Sequence, residues 1–278
     1  LKIIPQSDRD SYVNKRIDTC GILLNNLFRN YFNKMVKDMQ KQIRREINQG
    51  SWRTTKDFKN IINLTNIYKI VKSSTIENGL KRALATGDFG LKHSVKSNKV
   101  GVAQVLNRLT YIATLSHLRR VNTPIDKSGK LIPPRKLHNT TWGFLCPAET
   151  PEGHSVGVVK NLSYLANITL PSDSSSLYTY IEPFIKNINN VDNIETLYDK
   201  VKVFINGCWV GIALSPLKLY QHLKNIKEQG IINIYTSVVF DYSKMEILIC
   251  NSPGRLTRPV LKVNNNKLNI DKKMMDLI

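Results

Sequence analysis

The side chains best able to do chemistry crowd into one stretch, Arg135-Lys136-Leu137-His138-Asn139-Thr140-Thr141-Trp142-Gly143-Phe144-Leu145-Cys146-Pro147-Ala148-Glu149-Thr150-Pro151-Glu152-Gly153-His154. Imidazole, thiolate and carboxylate are ligands for divalent metals, so His138, Cys146, Glu149, Glu152 and His154 form one candidate metal set. A metal nuclease using Glu149, Glu152 and His154 would follow from it. The competing reading is a rigid turn, Pro147 to Gly153, whose acids cap neighbouring amides and pair with Arg. The spacing fits no established metal template and two prolines stiffen the backbone, which favours the turn. No bound metal, zinc included, is expected, and no catalytic residue is assigned. Neither an Asp-x-Asp-x-Asp cluster nor a phosphate loop ending in Gly-Lys-Ser/Thr occurs.

The charge points to the partner. Across 278 residues, 41 Lys and Arg face 21 Asp and Glu, a net charge of +20 that favours a polyanion or an acidic face of a larger assembly. Residues 1–120 carry 23 basic and 8 acidic side chains, so the electrostatic footprint belongs to the first half. Cys20, Cys146, Cys208 and Cys250 are dispersed without a CxxC pair, which suits a reducing, intracellular compartment better than a disulfide framework. No apolar run is long enough to span a bilayer, and no membrane partner is expected. The start at Leu1 and the lack of an end signal suggest a piece of a longer product.

These residues need elements to hold them. Leu24, Leu27, Phe28, Tyr31, Met35, Met39, Ile43 and Ile47 recur at helical spacing, predicting a helix from about Gly21 to Gln49 that Gly50 stops. A second helix is predicted from Val100 to Arg120, with Val102, Val105, Leu106, Leu109, Ile112 and Ala113 inward and Arg119-Arg120 complementing the dipole of its last turn. Asn122-Thr123-Pro124 breaks it, and a polar loop through Lys127 and Lys130 follows. Beyond about residue 170 short strands take over. Val201–Ile205 leads into Asn206-Gly207, a type I′ hairpin signal, and Trp209–Ile212 returns. Pro216–Gln229 reads as a helix ended by Gly230, followed by strands over Ile231–Phe240, Met245–Cys250 and Arg258–Val263. The fold class is therefore mixed α+β, a multi-module chain with a helical first half and then small α/β modules with short antiparallel strands.

A resemblance runs through nearly the whole chain. Asp8-Arg9-Asp10-Ser11-Tyr12 with Lys15-Arg16, Leu84-Ala85-Thr86-Gly87-Asp88-Phe89, the run from Gly101-Val102-Ala103-Gln104-Val105-Leu106-Asn107-Arg108 to Val159-Lys160-Asn161-Leu162, then Phe204-Ile205-Asn206-Gly207-Cys208-Trp209-Val210-Gly211 and Gly254-Arg255-Leu256-Thr257-Arg258-Pro259 are similar to the second-largest, beta-type subunit of multisubunit DNA-directed RNA polymerase. The resemblance implies four modules: the end of a protrusion at 1–86, a fork at 87–170, a first external domain at 171–241 and the start of a second at 242–278. It implies that Gln104 and Arg120 approach the RNA–DNA hybrid, with Arg119, Glu152, Gly153 and Ser155 nearby. Residues 88–99 match the family's first fork loop. Asn122, Lys127, Lys130, Arg135 and Lys136 match the second, where downstream DNA separates.

Expected partners are template DNA, transcript RNA, the largest subunit and the other polymerase subunits. The Mg2+ of nucleotidyl transfer is expected mainly on the largest subunit and not on this chain, which should be inactive alone. Location follows the source: nucleus or cytoplasm, or a virion or viral factory for a viral chain. Arg and Gln donate to phosphate and ribose hydroxyls without reading sequence, as a transcribing enzyme requires. One departure is Thr141, where the family has His in Asn-Thr-His-Trp-Gly; another is His154, where it has Gln or Pro. The alternative reading is a free-standing basic scaffold from a split gene that binds RNA or single-stranded DNA.

Overall fold

The computed structural model describes residues 6–49, 64–90, 100–129, 131–188 and 199–270. They fall into two compact units, one of Asp18–Lys130 and Pro151–Val159, the other of Leu1–Ile17, Leu131–Thr150 and Lys160–Ile278. The architecture is mixed α/β with small sheets of short, mostly antiparallel strands.

In the first unit, α1 (Cys20–Gln49) matches the first predicted helix at its start and at its last described residue. Gly50 lies outside the described residues. Leu27 and Tyr31 are buried and Met35, Met39, Ile43 and Ile47 are half-buried, but Leu24 and Phe28 are exposed, so the buried stripe is narrower than the sequence pattern suggested. Two shorter helices follow, α2 (Leu64–Ile70) and α3 (Ser74–Thr86). Leu27 and Tyr31 of α1 pack with Ala83 of α3 and with Phe89, and Leu23, Ile76, Leu80, Val102 and Ala103 border them. Gly79 makes the helix contact close, since a Cβ there would lie 2.4 Å from the Tyr31 ring. At the end of α3, Gly87 takes φ 71° and its N–H caps the helix on the Ala83 carbonyl at 2.9 Å.

The long second helix does not form. Only α4 (Tyr111–Leu118) is helical, started by the Thr110 hydroxyl accepting from the Ala113 N–H at 3.1 Å. Upstream, the Val102 N–H donates to the Gly87 carbonyl at 2.9 Å, and Gly101 has φ 76°. That tertiary pairing removes the segment from the helical ladder. Val105, Leu109 and Ile112 are exposed rather than inward, and Gln104 sits on irregular chain. Arg119 caps α4, and Arg120 opens the strand β1 (Arg120–Asn122), so the arginine pair ends the helix instead of filling its last turn. β2 (Val159–Asn161) then carries the chain from this unit into the other.

In the second unit, β3 (Asn167–Ile168) precedes α5 (Ser175–Ile181) and β4 (Ile185–Asn187). β5 (Lys202–Ile205) and β6 (Cys208–Ala213) form the predicted hairpin, with Asn206 and Gly207 both at positive φ. The helix α6 (Pro216–Glu228) is as predicted to within a residue, and β7 (Ser237–Asp241) and β8 (Glu246–Cys250) complete a sheet of order β4-β6-β5-β8-β7 in which only β5 and β8 run parallel. Val203, Ile205, Ile247 and Ile249 alternate inward from the two central strands and meet Ile181 of α5 and Leu219, Leu223 and Ile226 of α6 in the core.

The strand predicted over 231–240 begins only at Ser237, because Asn233 closes a turn, its side chain accepting from the Tyr235 N–H at 2.9 Å and its carbonyl from the Thr236 N–H at 2.8 Å. The one predicted over 258–263 is also displaced. β9 (Leu256–Thr257) pairs with β3, Pro259 has no N–H to continue the ladder, and β10 (Val263–Asn264) turns back through Asn265 and Asn266 to β11 (Lys267–Leu268).

Candidate nucleic-acid interface

Gln104 is held at both ends of its amide. Its Nε2 donates to the Gly101 carbonyl at 2.9 Å and its Oε1 lies 3.0 Å from His117 Nε2. The Asn107 N–H donates to His117 Nδ1 at 3.0 Å, so Nδ1 is the acceptor and Nε2 carries the proton given to Gln104. The Thr114 hydroxyl donates to the Asn107 carbonyl at 2.7 Å and locks the loop onto α4. His117, not among the site residues read from the sequence, positions Gln104; its place two residues before Arg119 was the available signal.

The chain continues through Arg119, half-buried, to Arg120, whose side chain is exposed on β1. One residue after β1, the Thr123 N–H donates to the Val158 carbonyl at 3.0 Å, which brings residues 151–159 beside this strand. There the short 3-10 turn Gly153–Ser155 is fastened by the Val156 N–H on the Gly153 carbonyl and the Val158 N–H on the Ser155 carbonyl, both at 3.1 Å. Gly153 takes φ 74° with open space where a Cβ would stand. Thus Gln104, Arg119, Arg120, Glu152, Gly153 and Ser155, from two separate segments of chain, belong to one compact unit.

The loop residues divide. Asn122 and Lys127 are exposed in the first unit. Lys130 lies outside the described residues, and so do most of the residues, 91–99, assigned to the first fork loop. Asp126 closes the loop tip by accepting from the Ser128 hydroxyl at 2.7 Å and the Ser128 N–H at 2.9 Å, and these bonds, the hydroxyl first, hold its carboxyl below the usual value. Arg135 and Lys136, at the end of the 3-10 turn Pro133–Arg135, belong to the other unit.

The 135–154 block resolves into turns. His138 donates from Nε2 to Asp8 Oδ2 at 2.6 Å, while its Nδ1 receives the Thr140 hydroxyl at 2.7 Å, and Thr140 Oγ1 accepts the Tyr12 N–H at 2.9 Å. Asp8 is held below its usual pKa, first by the Asp10 N–H and then by His138. Thr141, where the family has His, is buried and donates to the His138 carbonyl at 2.6 Å. Cys146 accepts the Glu149 N–H on sulfur at 3.4 Å, and the Asn161 amide donates to the Glu149 carbonyl at 3.2 Å. Sulfur and amide help fasten this turn, and Glu152 makes no side-chain cap to the 3-10 turn it precedes. Among the described residues no group of three or more His, Cys, Asp or Glu side chains could hold a metal ion.

Lys160 lies near the same turns. It donates to the Tyr12 hydroxyl at 3.1 Å and the Pro134 carbonyl at 3.2 Å, and burial pushes its pKa down. Lys15 and Lys160 both stand over the Tyr12 ring, at 4.9 and 5.2 Å from its centroid. Asp8, Tyr12 and Lys15 thus tie the turns around Pro134, His138 and Thr140 to Lys160 within this unit. No helix among the described residues is long and apolar enough to cross a membrane.

Comparison with known proteins gives the family. Residues 104–168 match the family model "RNA polymerase Rpb2, domain 3" and residues 203–264 match "RNA polymerase Rpb2, domain 4". The chain is 39% identical over 274 residues to DNA-directed RNA polymerase II subunit 2 of Arabidopsis thaliana, covering 97% of this chain and 22% of that protein. It is 43% identical over 263 residues to DNA-directed RNA polymerase II subunit RPB2 of Encephalitozoon cuniculi, covering 94% of this chain and 22% of that protein. A viral relative, DNA-directed RNA polymerase subunit 2 of Acanthamoeba polyphaga mimivirus, is 37% identical over 279 residues, 97% of this chain and 22% of that protein. The chain spans about a fifth of the length of these relatives. With two domain models matched and identity running along nearly all of its residues, the chain belongs to the family of second-largest subunits of DNA-directed RNA polymerase.

Proposed function

We propose that this chain acts within a DNA-directed RNA polymerase, where it holds the RNA–DNA hybrid and the downstream DNA at the active centre while another subunit supplies the metal chemistry. The observation that carries the reading is the gathering of Gln104, Arg119, Arg120 and the 152–155 turn in one unit, with Gln104 fixed by His117. A fixed amide and an exposed guanidinium on a short strand suit phosphate and ribose contacts that position a strand without reading its bases. Orientation set before the ligand arrives lowers the entropy lost on binding.

On this reading residues 1–86, 87–170, 171–241 and 242–278 are the protrusion end, fork, first external domain and start of the second. The partners are template, transcript, the largest subunit and the other polymerase subunits, in an intracellular setting. Nucleotidyl transfer draws Mg2+ to aspartates of the largest subunit.

The test is Arg120→Ala in the complete enzyme, read as the lifetime of halted elongation complexes across a salt series. Arg120→Ala should shorten that lifetime most at low salt, with the difference narrowing as salt rises, because a lost guanidinium–phosphate contact removes one share of counterion release. An unchanged lifetime and an unchanged salt slope across the series would remove Arg120 from the hybrid.

A further inference from the structure

The first unit carries a second concentration of positive charge away from the residues already assigned. Lys41 and Arg45 of α1 face Lys69 of α2 and Lys72, just before α3, across a groove of about 260 Å³. Asp38 is the one carboxylate among its lining residues. All four cations are exposed, and none takes part in the described ion pairs. Glu46, the next acid along α1, accepts from Gln42 Nε2 at 2.9 Å.

Four like charges around a groove repel one another, and the α1 dipole offsets this only over its last turn. The arrangement gains stability when an anion enters. Lys41 and Arg45 are one helical turn apart, a rise of about 6 Å, and Lys69 and Lys72 stand opposite, so the groove presents two facing rows of cations. A strand of nucleic acid carries a phosphate on every residue and can satisfy both rows. An extended acidic peptide turns alternate side chains to opposite faces and would offer the groove only half of its charge. At about 260 Å³ the groove holds part of one strand and is too small to admit a duplex, which would reach only the rim.

We propose that this groove takes the sugar–phosphate backbone of a single-stranded nucleic acid, as a contact separate from Gln104 and Arg120. It shares with the proposed function only the class of partner.

The experiment measures binding of a fluorescein-labelled polythymidylate strand to the 278-residue chain by anisotropy over a salt series. The neutral pair Lys41→Gln/Lys69→Gln should lower affinity about tenfold or more at low salt and reduce the slope of log K against log salt by about 1.4, since each single-strand phosphate contact contributes about 0.7. Arg45→Gln/Lys72→Gln should do the same, so a folding fault in one pair does not decide the result. The charge-matched control Lys244→Gln/Lys267→Gln, in the other unit, should leave the slope unchanged. Equal losses from groove and control pairs would overturn the proposal by showing diffuse attraction. So would competition by polyglutamate as strong as that by unlabelled strand at equal charge, which would mark an acidic protein segment as the occupant. Arg120→Ala in the same series separates the two readings: a loss confined to Arg120→Ala refutes the groove and leaves the fork standing, and a loss confined to the groove pairs does the reverse.

Discussion

Replacing Gly87 with Ala tests how the first unit sets Gln104 in place. Gly87 ends α3 at φ 71°, and a Cβ there would stand 2.3 Å from the Ala103 carbonyl oxygen. A left-handed alanine costs about 1 kcal/mol. The clash is with backbone, so either the chain shifts, at about 1–3 kcal/mol for overpacking, or residues 102–103 lift away. Lifting forfeits the 2.9 Å bond from the Val102 N–H to the Gly87 carbonyl, worth about 1 kcal/mol, and moves the neighbour of Gln104. The sum is about 3 kcal/mol. Gly101→Ala is the control, because Gly101 also has positive φ, at 76°, but its Cβ would meet nothing nearer than the Gln104 side chain at 4.0 Å. It should cost only about 1 kcal/mol. At about 2–4 °C per kcal/mol, thermal unfolding followed by circular dichroism should fall by about 6–12 °C for Gly87→Ala and about 2–4 °C for Gly101→Ala. Equal shifts would show that the Ala103 carbonyl does not press on Gly87, and the account of how Gln104 is positioned would fail.

Restoring the family residue with Thr141→His should destabilise the chain by about 1–3 kcal/mol, because position 141 is buried and its hydroxyl is bonded to the His138 carbonyl; urea unfolding measures it, and a neutral or stabilised variant would contradict the packing. The Asp10 N–H, and after it His138, hold the folded Asp8 carboxyl below the ordinary aspartate pKa, so its stabilising contribution is present above the unfolded value and is lost as pH falls through the folded one. Asp8→Asn should therefore lower stability at neutral pH and flatten the loss on acidification, read as the pH dependence of the unfolding midpoint; parallel curves for the two proteins would refute the link to His138. Removing His117 as His117→Ala should weaken the salt-resistant part of strand binding as Gln104→Ala does, and the double variant should add little, since both act through one hydrogen bond.

Several elements were legible in the sequence because their cause is local. The period of Leu27, Tyr31, Met35 and Met39 specifies α1, Asn206-Gly207 at positive φ specifies the β5–β6 hairpin, and Pro216 with Gly230 brackets α6. The motifs from Asp8 to Pro259 were enough to name the family. The stretch from 100 to 110 was misread because its hydrophobic spacing does mimic a helix, while Gly87, distant in sequence, takes its backbone N–H instead.

Composition and motif alone established a basic, mixed α/β chain of the polymerase second-subunit family, since charge, periodicity and turn chemistry are written in neighbouring residues. Only the tertiary structure placed His117 behind Gln104, joined the 120–123 segment to the 153–158 turns, and set Lys41 and Arg45 across from Lys69 and Lys72. Each of these depends on contacts between residues far apart in the chain, which the folded backbone brings within hydrogen-bonding or Coulombic range and which no local pattern encodes.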